Sequence, residues 1–139
     1  MKHFFDTSML VAAFDDQDRL HEEAWAVFAR HAENGAMATH SLGETFSVLT
    51  GRRSWRARDA YEILETNTAG MQKVTLEADE YLRTLESAER LGIRGGAVYD
   101  ALILACARRS GASDIWTLNT RHFQLFGEEL SGRIRTVAS

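Results

Sequence analysis

Three carboxylates and one amide carry the chemistry this sequence could perform: Asp6, Glu44, Asp100 and Asn119. Asp6 ends an apolar, strand-like run, and Glu44 stands at the start of a helical stretch. Asp100 interrupts an apolar neighbourhood of Val98, Ala101, Leu102, Ile103, Leu104 and Ala105, and Asn119 closes the run Asp114 to Leu118. An acid set among apolar helix residues is not merely solvated, because a buried, unpaired carboxylate is costly. Three carboxylates brought together repel unless a cation lies among them. An all-oxygen set suits Mg²⁺ or Mn²⁺, which keep their own waters and take one or two carboxylates plus a substrate phosphate. The chemistry would be metal-assisted attack of water on a phosphate ester.

Each residue also has a local alternative. Asp6 could cap the helix that follows it, and Ser41-Leu42-Gly43-Glu44 fits a capping box. Asp100 could favour the positive end of its helix, and Asn119 could cap a following turn. The elements decide whether the four meet. The sequence predicts a strand over Lys2 to Phe5, a short helix over Met9 to Phe14, and a helix from Arg19 to Glu33. A minimal strand, Ala36 to Ala38, precedes helices over Ser41 to Thr50 and Arg56 to Asn67. Lys73 to Leu76 reads as a strand, and Ala78 to Leu91 as a helix with Tyr81, Leu82, Leu85 and Ala88 on one face. A helix from Val98 to Arg109, a strand from Asp114 to Leu118, a helical turn from Thr120 to Phe126 and an edge strand from Ile134 to Val137 complete the chain.

Strands alternating with helices predict an α/β domain of three layers, α/β/α, around a central, mostly parallel sheet of four to five strands. Ligands of such sheets sit at the carboxyl ends of the strands, where all four residues fall. Capping does not require caps to gather at one edge; a shared site does.

Composition sets the frame. A length of 139 residues predicts one domain, 1–139, able to bury about two-thirds of its surface. A single cysteine, Cys106, excludes an internal disulfide framework, and with no secretory leader evident a reducing, cytoplasmic setting is expected. The apolar runs are far too short for a membrane span. Twenty Asp+Glu against sixteen Lys+Arg give a net charge of −4, which argues against nonspecific coating of nucleic acid.

Other chemistries lack their parts. There is no H-E-x-x-H and no phosphate-cradling glycine loop, and one cysteine builds no zinc site. A haloacid-dehalogenase phosphatase needs an Asp where Ser8 stands, and a receiver domain needs an Asp ending the third strand. The turn Asp15, Asp16, Asp18 lacks the glycine and terminal Glu of a calcium loop and reads as a solvated turn that caps the next helix. Arg52, Arg53, Arg56 and Arg58 follow the Glu44 helix with no acid between them, and suit either a phosphate-gripping rim or a solvated helix start. Trp55, inside that group, could stack on an unpaired base or pack in the core.

Phe5-Asp6-Thr7-Ser8, Gly43-Glu44-Thr45, Tyr99-Asp100-Ala101-Leu102-Ile103 and Thr117-Leu118-Asn119-Thr120-Arg121-His122-Phe123 resemble, in order and spacing, the four signatures of PIN-domain ribonucleases. The nearest likeness is to VapC-type toxins of toxin–antitoxin pairs. The resemblance implies metal-dependent cleavage of RNA, a homodimer, and a small antitoxin that blocks the site. It makes Asp6, Glu44 and Asp100 the metal ligands, with Thr7, Ser8 and Thr117 as supporting hydroxyls. Asn119 falls where many PIN domains carry a fourth Asp, which removes one charge from the set. A non-catalytic RNA-binding module of the same fold, or a metal-dependent phosphatase or DNA nuclease, would share most of these residues.

Overall fold

A computed structural model describes residues 1–137; the last two residues of the expected domain 1–139 lie outside them. Five strands, β1 (His3–Phe5), β2 (Gly35–Ala38), β3 (Gln72–Val74), β4 (Asp114–Trp116) and β5 (Ile134–Arg135), form one sheet in the order β3-β2-β1-β4-β5. Every pairing is parallel, with His3 opposite both Gly35 and Asp114 and Phe5 opposite Trp116. The helices are α1 (Thr7–Phe14), α2 (His21–His31), α3 (His40–Thr50), α4 (Ala57–Thr68), α5 (Ala78–Arg90), α6 (Ala97–Ser110) and α7 (Thr120–Phe126).

Strand periodicity splits the core in two. Phe4, Ala36, Ala38, Val74 and Ile115 face one side and pack with Leu102, Ile103, Leu104 and Phe123 of α6 and α7. Phe5 and Met37 face the other and pack with Met9, Leu10, Phe14, Phe28 and Leu64 of α1, α2 and α4. The sheet is thus covered on both faces, giving the expected three layers, and all five strands run parallel. No helix among the described residues is long and apolar enough to cross a membrane.

Strands are shorter than their apolar runs suggest: β4 stops at Trp116, so Thr117, Leu118 and Asn119 form the turn into α7. Helix α3 starts at His40, which moves Glu44 from the expected first turn into the second. The expected inner face of α5 is largely an outer one. Only Ala88 is buried, while Leu82 and Leu85 are exposed, because this helix packs chiefly on α6 at the margin of the molecule.

Candidate active site

At the carboxyl edge of β1 the chain turns directly into α1, and Asp6 is the joint. Its backbone starts the helix, its carbonyl accepting hydrogen bonds from the amides of Met9 and Leu10. Its side chain makes no cap bond. Instead Oδ2 accepts hydrogen bonds from Ser8 Oγ at 2.7 Å and from Thr117 Oγ1 at 2.8 Å. Both hydroxyls are aimed by the turn between β4 and α7: the Leu118 amide donates to Ser8 and the Asn119 amide to Thr117. With its acceptor role filled by backbone, each hydroxyl is left to donate to Asp6.

Glu44 is held by the same helix start. Thr7 Oγ1 donates to its Oε1 at 2.8 Å and lies 2.8 Å from the buried Ser41 hydroxyl. The S-x-x-E sequence therefore forms no capping box: Thr39 is the N-cap, and Ser41 and Glu44 both turn to Thr7. Asp100 sits in the first turn of α6, half-buried, with Oδ2 2.9 Å from His122 Nδ1. Asn119 occupies the N-cap position of α7 but makes no side-chain cap bond.

Asp6, Thr7, Ser8, Glu44, Asp100 and Asn119 line one cleft of about 350 Å³, with Arg52 and Arg53 on its wall. Asp6 is 1% exposed, and among the described residues no basic side chain pairs with it. Burial raises its pKa from 3.8 to about 6; the charge of Asp100 adds to the rise, and the Ser8 and Thr117 hydrogen bonds oppose it. The donor chemistry fits a hard divalent cation. The acids line a shared cleft without forming a closed cage: among the described residues no three His, Cys, Asp or Glu side chains stand close enough to chelate one ion as they are.

The four arginines that adjoin one another in sequence divide in space. Arg52 lines the cleft and is exposed. Arg53 lines it too, but bridges Asp15 at 2.7 Å and Asp18 at 2.9 Å. Arg56 and Arg58 lie outside the cleft, and Arg58 pairs with Glu62 one turn along α4. Trp55 is half-buried and does not line the cleft. The aspartate turn is likewise not simply solvated. Asp18 does accept the Leu20 amide ahead of α2, but Asp15 is 2% exposed and neutralised by Arg53. His122 was not singled out from sequence; its place four residues before Phe126, on the turn after Asn119, carries no signal that it meets Asp100.

The PIN domain family matches residues 3–128. Among solved structures, Mycobacterium tuberculosis VapC20, a sarcin–ricin loop cleaving toxin, superposes with a TM-score of 0.70 and 25% identity, over 82% of this chain and 87% of that one. VapBC2 from Rickettsia felis, solved bound to a DNA fragment from their promoter, superposes with a TM-score of 0.68 over 98% of both chains; at 17% identity it speaks to the fold alone. No curated protein matches the chain significantly. With a parallel five-stranded sheet, acids from the β1–α1 joint, α3 and α6 in one cleft, and a family match across nearly the whole length, the chain belongs to the PIN domain family.

Proposed function

We propose that this protein is a Mg²⁺- or Mn²⁺-dependent endoribonuclease, the toxin of a toxin–antitoxin pair, acting as a homodimer in the cytoplasm. The observation that carries the reading is the buried Asp6, which pairs with no basic side chain among the described residues and lines one cleft with Glu44, Asp100 and Asn119. The likeness to VapC20, whose structure is described as that of a sarcin–ricin loop cleaving toxin, supports RNA as the substrate. The VapBC2 likeness supports a toxin–antitoxin setting through fold.

Asp6, Glu44 and Asp100 would hold the cation, directly or through water. When bound, it supplies Lewis-acid stabilisation of phosphate charge and a water of lowered pKa. The chain's own residues supply the rest. Ser8 and Thr117 fix the Asp6 carboxylate, and Thr7 fixes Glu44, so the acids are oriented before substrate arrives. Glu44 or Asp100 accepts the proton of the attacking water, and the Asn119 amide orients that water. Arg52, on the cleft wall, contacts a phosphate oxygen. Arg53 is committed to Asp15 and Asp18 and shapes the wall on which Arg52 stands. Arg56 and Arg58, outside the cleft, contact more distant parts of the RNA backbone. The antitoxin would silence the enzyme by covering this cleft.

The test is incubation of the purified protein with RNA and with DNA, each with Mg²⁺, Mn²⁺ or EDTA. Metal-dependent cleavage of RNA that vanishes in Asp6→Ala and Asp100→Asn is the expected result. Full activity of either variant overturns the assignment. Cleavage of DNA alone would make the protein a DNA nuclease.

A further inference from the structure

Two aromatic rings beside the acids Glu44 and Asp100 have no part in the chemistry above. His40 opens α3 one turn ahead of Glu44, and Tyr99 directly precedes Asp100 in the first turn of α6. The two helices bring these rings face to face, centroids 5.2 Å apart and planes within 8°. His40 Nε2 lies 3.9 Å from Glu44 Oε2, so the stack borders the acids themselves. Neither ring is there to fill the core: Tyr99 is 46% exposed, and the His40 side chain 43%. An aromatic pair kept flat and wet beside a cleft offers a π surface to a planar ligand.

We infer that His40 and Tyr99 form a stacking platform for one unpaired nucleobase beside the phosphate to be cut, an inference that rests on the nuclease reading. Every base has a π face, so such a platform discriminates by availability and not by sequence. A base inside a duplex has both faces covered by its neighbours, whereas a base in a loop, bulge or single strand is free to lie on Tyr99. The platform therefore selects unpaired RNA.

The test uses a short single-stranded RNA carrying 2-aminopurine, whose fluorescence falls when it stacks, in EDTA so that no bond breaks. Wild type and Tyr99→Phe should bind it and quench it. Tyr99→Ala and Tyr99→Leu should bind about tenfold more weakly and lose the quench, the second keeping apolar bulk without a ring. A fully paired duplex carrying the same base should bind all four proteins alike. With metal present, Tyr99→Ala should raise KM for the single strand about tenfold with kcat nearly unchanged, and should match wild type on a strand abasic at that position. Retained quenching in Tyr99→Leu, an equal loss on the abasic strand, or no binding by wild type overturns the platform. Failure of wild type to cleave any RNA overturns the nuclease reading instead, and the quenching experiment still decides the platform.

Discussion

Helix α1 has an aspartate at each end, and both are buried, Asp6 to 1% and Asp15 to 2% exposure. The helix dipole favours a negative charge at the first position and opposes one at the second. Asp15, at the unfavourable end, is met by the guanidinium of Arg53, which also holds Asp18. Asp6 receives two hydroxyl hydrogen bonds and the repulsion of Asp100. Arg53 lines the same cleft as Asp6, yet it spends its charge on the neighbouring turn. A carboxylate that has only to be stable is neutralised from within the chain. The one left without a counter-ion, at a cost in stability, is the one suited to a cation from solution.

The sharpest way to break that comparison is Asp6→Asn. Activity should fall on the order of a thousandfold or more, because a ligand that stabilises phosphate charge is lost. Stability should rise. The Asp6 pKa is higher in the folded chain, about 6 against 3.8, so its contribution is fully present below pH 3.8 and is lost as pH rises through 6. At pH 7.5 the ionised carboxylate costs the fold about 3 kcal/mol, which the amide avoids. Urea unfolding of both proteins should show no gap at pH 3.5, a gap opening between pH 4 and 6, and a plateau above pH 7. The difference between the two proteins is the quantity to follow, because His3 slopes the other way. Burial first, then His31, lowers its pKa below 6.5, so its stabilisation holds above that pH and fades as pH falls. Mg²⁺ or Mn²⁺ should raise the wild-type midpoint and leave Asp6→Asn unmoved.

Arg53→Ala probes the other end of the helix and should cost about 2–3 kcal/mol, since it strands Asp15 in the interior. Adding Asp15→Asn should recover part of that loss, and the double variant should keep the pH gap that Asp6 creates. An Arg53→Ala protein as stable as wild type would show that Asp15 needs no counter-ion, and the contrast between the two ends would collapse.

These two ends were not equally legible in the sequence. Asp6, Glu44, Asp100 and Asn119 could be placed at one sheet edge because each belongs to, or directly follows, an element whose periodicity is local. The strand β1 and the apolar helix α6 announce themselves within a few residues. The Asp15–Arg53 bridge joins positions 38 residues apart, so the aspartate turn looked solvated and its arginine looked free. His122 meets Asp100 across 22 residues, and His40 meets Tyr99 across two helices; neither contact leaves a spacing to read. The face of α5 failed for a different reason: periodicity marks an apolar stripe, but not whether a second layer arrives to cover it.

The smallest expected effect separates strain kept at the cleft from strain that serves no visible end. Thr45 follows Glu44 in α3 and is fully buried, yet its Oγ1 has no hydrogen-bond partner among the described residues. Valine has nearly the same shape and replaces the orphaned hydroxyl with a methyl group. Thr45→Val should therefore gain about 1 kcal/mol, the desolvation cost of an unsatisfied polar group. Unlike Asp6→Asn, it should leave the pH dependence and the metal-induced rise in midpoint as they are in wild type, and should leave cleavage intact. A gain in stability that came with a lost metal response would join Thr45 to the cleft's chemistry. A loss of stability would mean that its hydroxyl has a partner, and the comparison would then rest on the buried charge of Asp6 alone.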